Sequence, residues 1–156
     1  MTQVVTSHPV VRRKSFNFET DLQWLENRAC RLDSKNKDSL RVTSPPEFQG
    51  EEGEWTPEDL FIGAINSCTM ATFLSYASKK ELDVFAYKSK AEGILEFSDG
   101  HYRFTTVKLQ PLILVDSTEA ALMAEQLIHE AHNNCFISNS VTSKVILEPE
   151  IKILQQ

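Results

Sequence analysis

The chain has few of the residues that mark specialised classes of protein. Five glycines and six prolines in 156 residues exclude collagen-like sequences and long Gly-rich or Pro-rich disordered chains. Hydrophobic residues make up 41% of the chain, which is enough for one domain with a sizeable core. We therefore predict an N-terminal tail over residues 1–14 and a single domain over residues 15–156.

Basic residues are outnumbered, with 16 Lys and Arg against 22 Asp and Glu and a net charge of -6. A negative chain gains no long-range attraction to nucleic acid or to anionic lipid headgroups. No uninterrupted apolar run approaches the roughly 18 residues that span a bilayer. The first 14 residues also lack the apolar core of a signal peptide. We expect a cytoplasmic protein whose partners include neither nucleic acid nor a membrane.

Cysteine is scarce as well, with three in the chain: Cys30, Cys68 and Cys135. An odd number, spread over a chain long enough to be stable without crosslinks, does not predict a secreted disulfide framework. The cysteines are therefore candidates for chemistry.

Alternating apolar residues predict the strands of the first third of the chain. A first strand is predicted by Phe16, Phe18, Leu22 and Trp24. A polar break over residues 33–38 precedes a short second strand at Leu40 and Val42. A loop rich in Pro, Gly and Glu then runs over residues 43–55.

A helix start at Thr56 is the clearest local signal. Thr56 can cap the first turn, Pro57 suits the first helical position, and Asp59 lies three residues after the cap. The helix is predicted to run to Lys79 and Lys80, whose charges suit its C-terminal end. Because it is apolar nearly all round, we predict that it is central and buried.

The second half of the chain predicts a hairpin, a helix and a closing strand. Strand-like stretches over residues 84–97 and 101–115 flank Asp99-Gly100, a pair that favours a tight hairpin turn. Ser117 can cap a second helix that ends near Asn133. Its predicted apolar stripe is Leu122, Met123, Leu127, Ile128 and Ala131. The closing strand is predicted over residues 141–147 and 151–154. Since we find no βαβ alternation, the fold class is α+β with mainly antiparallel sheets.

Two cysteines are associated with these helices: Cys68 lies about three turns into the first, and Cys135 lies just beyond the end of the second. Taken singly, Cys68 and Cys135 each have the features of a small buried hydrophobe. Taken together, a larger set of residues resembles a known family. The set is Pro57-Glu58-x-Leu60, Cys68 ten residues after Glu58, Cys135 a further 67 residues on, and Ser138 three places beyond it. It resembles the OsmC/Ohr superfamily, which comprises osmotically inducible protein C and the organic hydroperoxide resistance proteins, over Leu22 to Leu147.

The resemblance implies an intertwined homodimer with an OsmC-like fold around its long central helix and the site at the subunit interface. It also implies a thiol peroxidase for organic hydroperoxides: Cys68 attacks the peroxide, Cys135 resolves the sulfenic acid as a disulfide, and an external dithiol of the lipoyl or small-thiol type restores both thiols. Glu58 matches the glutamate that holds an arginine against the reactive cysteine, and Arg28 matches that arginine. Other candidates for the arginine are Arg31, Arg12, Arg13 and Arg41.

The electrostatics of a buried thiol independently requires an arginine and a carboxylate near it. Burial in an apolar helix raises the pKa of a thiol, so a thiolate at Cys68 needs a nearby cation. An arginine stays charged and donates several hydrogen bonds, and a carboxylate such as that of Glu58 offsets its desolvation. Ten helical residues separate Glu58 from Cys68 by about 15 Å, so the two cannot touch directly. A bridging side chain or a second subunit must connect them.

An apolar pocket should favour organic hydroperoxides over hydrogen peroxide. We predict that its lining comprises Phe61, Ile65, Trp55 and Phe136. No flavin, haem or metal motif is found, so no cofactor is expected and the electrons come from the external dithiol.

Three alternatives stay open at the level of sequence. The first is a binding protein on the same fold, which holds a small apolar molecule at the dimer interface without turnover. The second is a metal site formed by His129, His132 and Cys135, although on a helix the first and last point about 120° apart. The third is a Cys–His hydrolase, with His101, His129 or His132 as the base. Cys30 could be inert or could compete with Cys135, and Phe136 replaces a proline that is common in the family.

Overall fold

A computed structural model describes residues 14–155 of the chain. Contacts divide the chain into two compact units, Met1–Glu54 and Trp55–Gln156. The predicted tail lies outside the described residues except for Lys14, as do the candidate arginines Arg12 and Arg13. The single domain over residues 15–156 stays a prediction.

The first unit is built on a three-stranded antiparallel sheet in the order β1-β2-β3. Its strands are β1 (Asp21–Glu26), β2 (Ala29–Asp33) and β3 (Leu40–Val42). Asn27, with a φ of 44°, lies in the turn that joins β1 to β2. A single 3-10 turn, Pro46–Phe48, follows in the predicted loop.

The predicted first strand is wrong in its first half. β1 begins at Asp21, no strand pairs with the residues from 14 to 20, and Phe18 is 93% exposed. Alternation identifies side chains that suit a strand, but only hydrogen-bonded pairing makes one. The strand β2 was not predicted, because Arg31 and Asp33 interrupt its short apolar pattern.

The second unit contains two helices and a four-stranded sheet. Its elements are α1 (Pro57–Lys79), β4 (Ala86–Ser98), β5 (His101–Val115), α2 (Thr118–Asn133), β6 (Lys144–Leu147) and β7 (Glu150–Ile153). The hairpin β4–β5 is antiparallel, and its turn contains Asp99 and Gly100 with φ values of 55° and 88°. The predicted hairpin is therefore confirmed.

The other edge of β5 pairs with β6 and then with β7, both in parallel. The path β5–α2–β6 is a βαβ crossover, so the prediction that the chain has no βαβ unit is wrong at this point. With three antiparallel and two parallel strand pairs, the α+β class with mainly antiparallel sheets is confirmed.

The start of α1 is as predicted. The Thr56 hydroxyl accepts a hydrogen bond from the Asp59 N–H at 3.1 Å, and the Asp59 carboxylate accepts one from the Thr56 N–H at 3.1 Å. These reciprocal bonds satisfy two backbone donors that a helix end would leave unpaired. Pro57 occupies the first helical position, and the helix ends at Lys79.

Within this chain α1 is buried along one stripe only. The stripe consists of residues four apart: Ile65, Thr69, Phe73 and Ala77. The prediction of a helix buried all round is therefore wrong for the single chain. By length and composition alone α1 could cross a membrane, a test that core helices of soluble proteins also pass, and 22% of its apolar stretch is buried.

The core of the second unit lies where α1, α2 and β5 meet. Phe73 of α1 packs there with Ile113 of β5 and with Leu127 and Ile128 of α2. The prediction for α2 is correct for its C-terminal half but wrong for Leu122 and Met123, which are exposed. Because α2 packs against α1, the segment that follows α2 starts from a fixed position relative to α1.

Candidate active site

The fold brings two distant thiols together. Cys68 lies in the middle of α1, and Cys135 follows the C-terminal end of α2, which packs against α1. Both are free thiols, and each shifts the pKa of the other. Cys135 is fully buried, whereas Cys68 is partly exposed.

The two thiols differ in their electrostatic setting. Burial raises the pKa of Cys68, and the neighbouring Cys135 raises it further. The backbone N–H groups of Ile137 and Phe136 act in the opposite direction, because they donate to the Cys68 sulfur, but burial outweighs them. Cys68 is therefore the thiol that holds its proton more tightly.

Cys135 shows the opposite balance. Burial alone raises the pKa of Cys135, but the neighbouring Ser138, Cys68 and Thr69 outweigh burial and lower it. The Ser138 N–H lies 3.4 Å from the Cys135 sulfur. Within the second unit, the lower thiol pKa belongs to the sulfur for which the sequence predicts the resolving role.

A groove of about 490 Å³ gives access to Cys68. One wall follows α1 from Cys68 to Lys79, and the other carries Asn134 and Phe136. The Lys79 ammonium lies 5.7 Å from the centre of the Tyr76 ring. The groove offers a small molecule direct access to the first sulfur.

Glu58 opens onto a different groove of about 370 Å³, between α1 and the β4–β5 hairpin. One of its carboxylate oxygens is buried and has no hydrogen-bond partner among residues 14–155. A carboxylate oxygen in that setting calls for a cationic or hydrogen-bonding partner.

The described candidate arginines belong to the first unit and differ in their partners. Arg31 forms an ion pair with Asp33 at 2.8 Å. Arg41 is held by three carboxylates, at 2.9 Å from Glu51, 3.4 Å from Glu26 and 3.7 Å from Glu54.

Arg28 lies in the turn between β1 and β2, is exposed and donates to the neutral amide oxygen of Gln49 at 3.2 Å. Of these three arginines it is the one whose recorded partner carries no charge, which leaves its charge available.

The predicted pocket residues do not share one cavity. Trp55 lines the groove of Glu58, and Phe136 lines the groove of Cys68. Ile65 is fully buried in a second core cluster, with Val107 and Leu109. Phe61 packs beside that core and stacks on Phe104 with ring centres 4.9 Å apart.

The residues of the alternatives are also separated. Among residues 14–155, no group of three or more His, Cys, Asp or Glu side chains is arranged to hold a metal ion. His129 pairs with Glu125 at 3.1 Å, and His101 lies at the hairpin turn, where it contacts the Asp99 carbonyl. Cys30 lies on β2 in the first unit.

Two polar residues of the thiol site were missed as functional candidates. Ser138 belongs to the matched set, but the approach of its N–H to the Cys135 sulfur depends on a turn that the sequence does not reveal. Thr69 is next to Cys68. Its hydroxyl donates to the Ile65 carbonyl at 3.0 Å, and Thr69 also lowers the pKa of Cys135. The Cys-x-x-Ser spacing was the sequence signal available for Ser138, and no sequence signal marked Thr69.

The fold and the thiol pair thus define an α+β protein with a dithiol site. The family model for OsmC-like proteins matches residues 50–150, which include both cysteines and Glu58. The chain belongs to the OsmC-like protein family, as the resemblance in sequence implied.

Solved structures and a curated relative agree with this assignment. An OsmC-like protein of unknown function from Vibrio cholerae is 28% identical, with a TM-score of 0.79 over 86% of this chain and 99% of that one. The fold is also that of an organic hydroperoxide resistance protein OsmC from Legionella pneumophila, which is 19% identical, with a TM-score of 0.71 over 90% of this chain and 100% of that one. The uncharacterised protein YmaD of Bacillus subtilis is 21% identical over 72% of this chain and 77% of its own length.

Proposed function

We propose that this protein is a thiol peroxidase that reduces organic hydroperoxides through Cys68 and Cys135. The observation that carries the proposal is the closeness of the two thiols, each of which shifts the pKa of the other, with one accessible from a groove and the other buried. Membership of the OsmC-like family, which has relatives named for organic hydroperoxide resistance, supports the same chemistry.

The reaction has three steps. The Cys68 thiolate attacks the outer oxygen of the hydroperoxide, an S–O bond forms, the O–O bond breaks, and the alkoxide leaves as the alcohol after taking a proton. Cys135 then attacks the sulfenic acid of Cys68, which releases water and leaves a disulfide. An external dithiol, of the lipoyl or small-thiol type, reduces the disulfide by exchange. No cofactor takes part in this cycle.

Arg28 and Glu58 assist Cys68 in the proposed mechanism. The guanidinium of Arg28 stabilises the thiolate and the peroxide oxygens, and Glu58 supplies a carboxylate for it. The unpartnered buried oxygen of Glu58 and the uncharged partner of Arg28 support these roles. Trp55, Phe61, Ile65 and Phe136 are proposed to provide the apolar surroundings of the substrate.

The proposed active unit is a homodimer. Much of the apolar surface of α1 is uncovered, and on β1 Leu22 is 67% exposed and Trp24 is 70% exposed. A second copy of the chain would bury these surfaces. The proposal includes a cytoplasmic location, where free thiols stay reduced.

Peroxide consumption tests the function directly. With cumene hydroperoxide and excess dithiothreitol, we expect turnover by the wild type and a loss of at least about 100-fold in Cys68→Ser, because serine is a far weaker nucleophile than a thiolate. Cys30→Ser is the matched control and should retain the wild-type rate.

Two results would count against a peroxidase. Equal slow rates in the wild type and Cys68→Ser would leave the binding protein for a small apolar molecule as the better description. Loss of activity in Cys30→Ser but not in Cys68→Ser would move the nucleophile to the first unit.

A further inference from the structure

We propose that the groove of Cys68 selects hydroperoxides by length, with the peroxide at Cys68 and a carboxylate at the other end of the substrate bound by Lys79. This inference rests on the proposed peroxidase function and names the substrate class of the same groove. It makes Lys79 a specificity-determining residue, placed at the far end of the groove from the reacting sulfur.

Two adjoining cavities form an elongated surface along α1. The groove of Cys68 has a volume of about 490 Å³, and a second cavity of about 240 Å³ lies between the C-terminal turns of α1 and the second half of α2. Tyr76 and Lys79 line both cavities, so these two side chains lie where the cavities meet. Volumes of this size suit a small organic molecule, and the arrangement along the helix suits an elongated one.

Lys79 gives the groove its positive charge. Among residues 14–155, it is the one Lys or Arg that lines the groove of Cys68, and no Asp or Glu lines it. The ammonium lies 5.7 Å from the centre of the Tyr76 ring, within the range of a cation–π contact. It forms no ion pair in the described part of the chain. A lysine without a carboxylate partner can donate to the carboxylate of a ligand.

Two neutral polar groups of the same groove already have partners. The Thr72 hydroxyl donates to the Cys68 carbonyl at 2.9 Å, and the Asn134 side-chain amide donates to the Glu130 carbonyl at 2.9 Å. These bonds hold both side chains against the backbone of their own segments. The Lys79 ammonium is therefore the donor that best suits an anion in this groove.

The charge of the whole chain makes a local cation necessary for such a substrate. The net charge of -6 repels anions at long range. The second cavity adds Lys80 and Glu130, one charge of each sign, so it does not cancel the charge of Lys79. An anionic substrate is thus favoured at this end of the groove and not over the surface in general.

The helix sets the distance between the two ends. From Cys68 to Lys79 the rise along α1 is about 16 Å, and from Cys68 to Tyr76, beside which the ammonium lies, it is about 12 Å. Because C–C bonds of about 1.5 Å follow a zigzag, roughly 10–13 carbon atoms bridge such a span. The groove therefore favours a hydroperoxide whose carboxylate lies that many carbon atoms from the peroxide.

Isomeric substrates test the selection by length. The 13-hydroperoxide of linoleic acid matches this span, whereas the 9-hydroperoxide is about 5 Å shorter between the same two groups. With the wild type, excess dithiothreitol and monomeric substrate, we expect kcat/KM to be at least about threefold higher for the 13-isomer. The methyl esters of both isomers lack the negative charge and should show no such preference.

Variants of Lys79 test the residue itself. In Lys79→Gln the ratio of kcat/KM for the 13-hydroperoxide acid to that for its methyl ester should fall about threefold to tenfold, mainly through KM, because the ion pair is lost. Lys79→Arg keeps the charge and should restore the ratio. Lys88→Gln is the matched control, since it removes one positive charge from an exposed position on β4, and it should leave the ratio unchanged.

Ionic strength provides an independent readout. Added salt screens exposed charges, so it should lower the acid-to-ester ratio of the wild type and change that of Lys79→Gln less. A role of Lys79 confined to the end of α1 would lower the melting temperature of Lys79→Gln without changing the ratio, and this result would overturn the inference. Equal kcat/KM values for the two isomeric acids would overturn it as well. In both cases turnover of the esters would leave the peroxidase intact, whereas absence of turnover with every hydroperoxide, cumene hydroperoxide included, would remove both.

Discussion

The two units of the chain differ in how they are held together. The second unit, Trp55–Gln156, has a core in which Phe73, Ile113 and Ile128 are fully buried. In the first, Met1–Glu54, every residue of β1 is exposed and the prominent side-chain contacts are ion pairs such as those of Arg41. One unit carries its own apolar core, and the other presents apolar side chains on its surface.

This contrast separates the unit that holds the two thiols from the unit whose surface we expect to be covered by a second copy of the chain. A close-packed core can hold two thiols in a fixed relation, which the second unit does for Cys68 and Cys135. Exposed ion pairs contribute little stability, because water and salt screen them. We therefore expect the first unit to depend on a covering surface, and the second copy of the chain is our proposal for it.

The largest expected effect comes from the core of the second unit. Phe73→Ala should lower the free energy of unfolding by about 3–5 kcal/mol, since it removes a fully buried ring and leaves a cavity. Urea denaturation, followed by circular dichroism, measures it. Leu22→Ala in β1 is the matched variant and should change the dilute monomer by no more than about 0.5 kcal/mol.

Association separates the two variants further. Leu22→Ala should weaken the dimer, whereas Phe73→Ala should act at every protein concentration. Sedimentation over a dilution series distinguishes them. A dimer of Leu22→Ala that is as stable as that of the wild type would contradict the proposed interface. The first unit would then depend on a covering surface no more than the second does.

A second comparison uses one glycine from each unit. A Cβ at Gly50 would lie 1.4 Å from the Ser44 carbonyl oxygen, a backbone atom that cannot move aside without opening the loop. Gly50→Ala should therefore cost about 2 kcal/mol. A Cβ at Gly63 of α1 meets nothing within 4 Å, so Gly63→Ala should stabilise the protein, by about 0.5–1 kcal/mol.

Thermal unfolding of both glycine variants gives the measurement. If Gly50→Ala shifted the transition no more than Gly63→Ala does, the loop of the first unit would be loosely packed. The difference in packing between the two units would then be larger than we describe.

The smallest expected effect is on the pH dependence of stability, to which each unit contributes one carboxylate. Hydrogen bonds from Ser39 and Arg31 lower the pKa of Asp33, and those from Lys108 and Gln110 lower the pKa of Glu148. A carboxylate whose pKa is lower in the folded chain stabilises it above its unfolded pKa, and this stability is lost as the pH falls through the folded value.

Asp33→Asn and Glu148→Gln should each flatten the decline of melting temperature below the ordinary pKa values, 3.8 for Asp and 4.5 for Glu. If both variants shift a single transition, the units unfold together. If each shifts a transition of its own, they unfold separately. An unchanged acid decline in both would contradict the assigned role of these hydrogen bonds.

Short-range signals in the sequence were enough for most elements of the second unit. The cap at Thr56, the Asp99-Gly100 turn and the cap at Ser117 act through neighbouring residues, so they can be identified without knowing the fold. The pairing of Cys68 with Cys135 as a functional set came from the resemblance, and the family assignment confirms that source.

Long-range packing decided the rest. The strand β2, the parallel pairing of β6 with β5 and the open face of α1 depend on which surfaces meet, and the sequence pattern of one segment does not contain that information. The balance between the two thiols is of the same kind. The Ser138 N–H meets the Cys135 sulfur through a turn after α2, and the direction of a backbone N–H is a property of the folded chain.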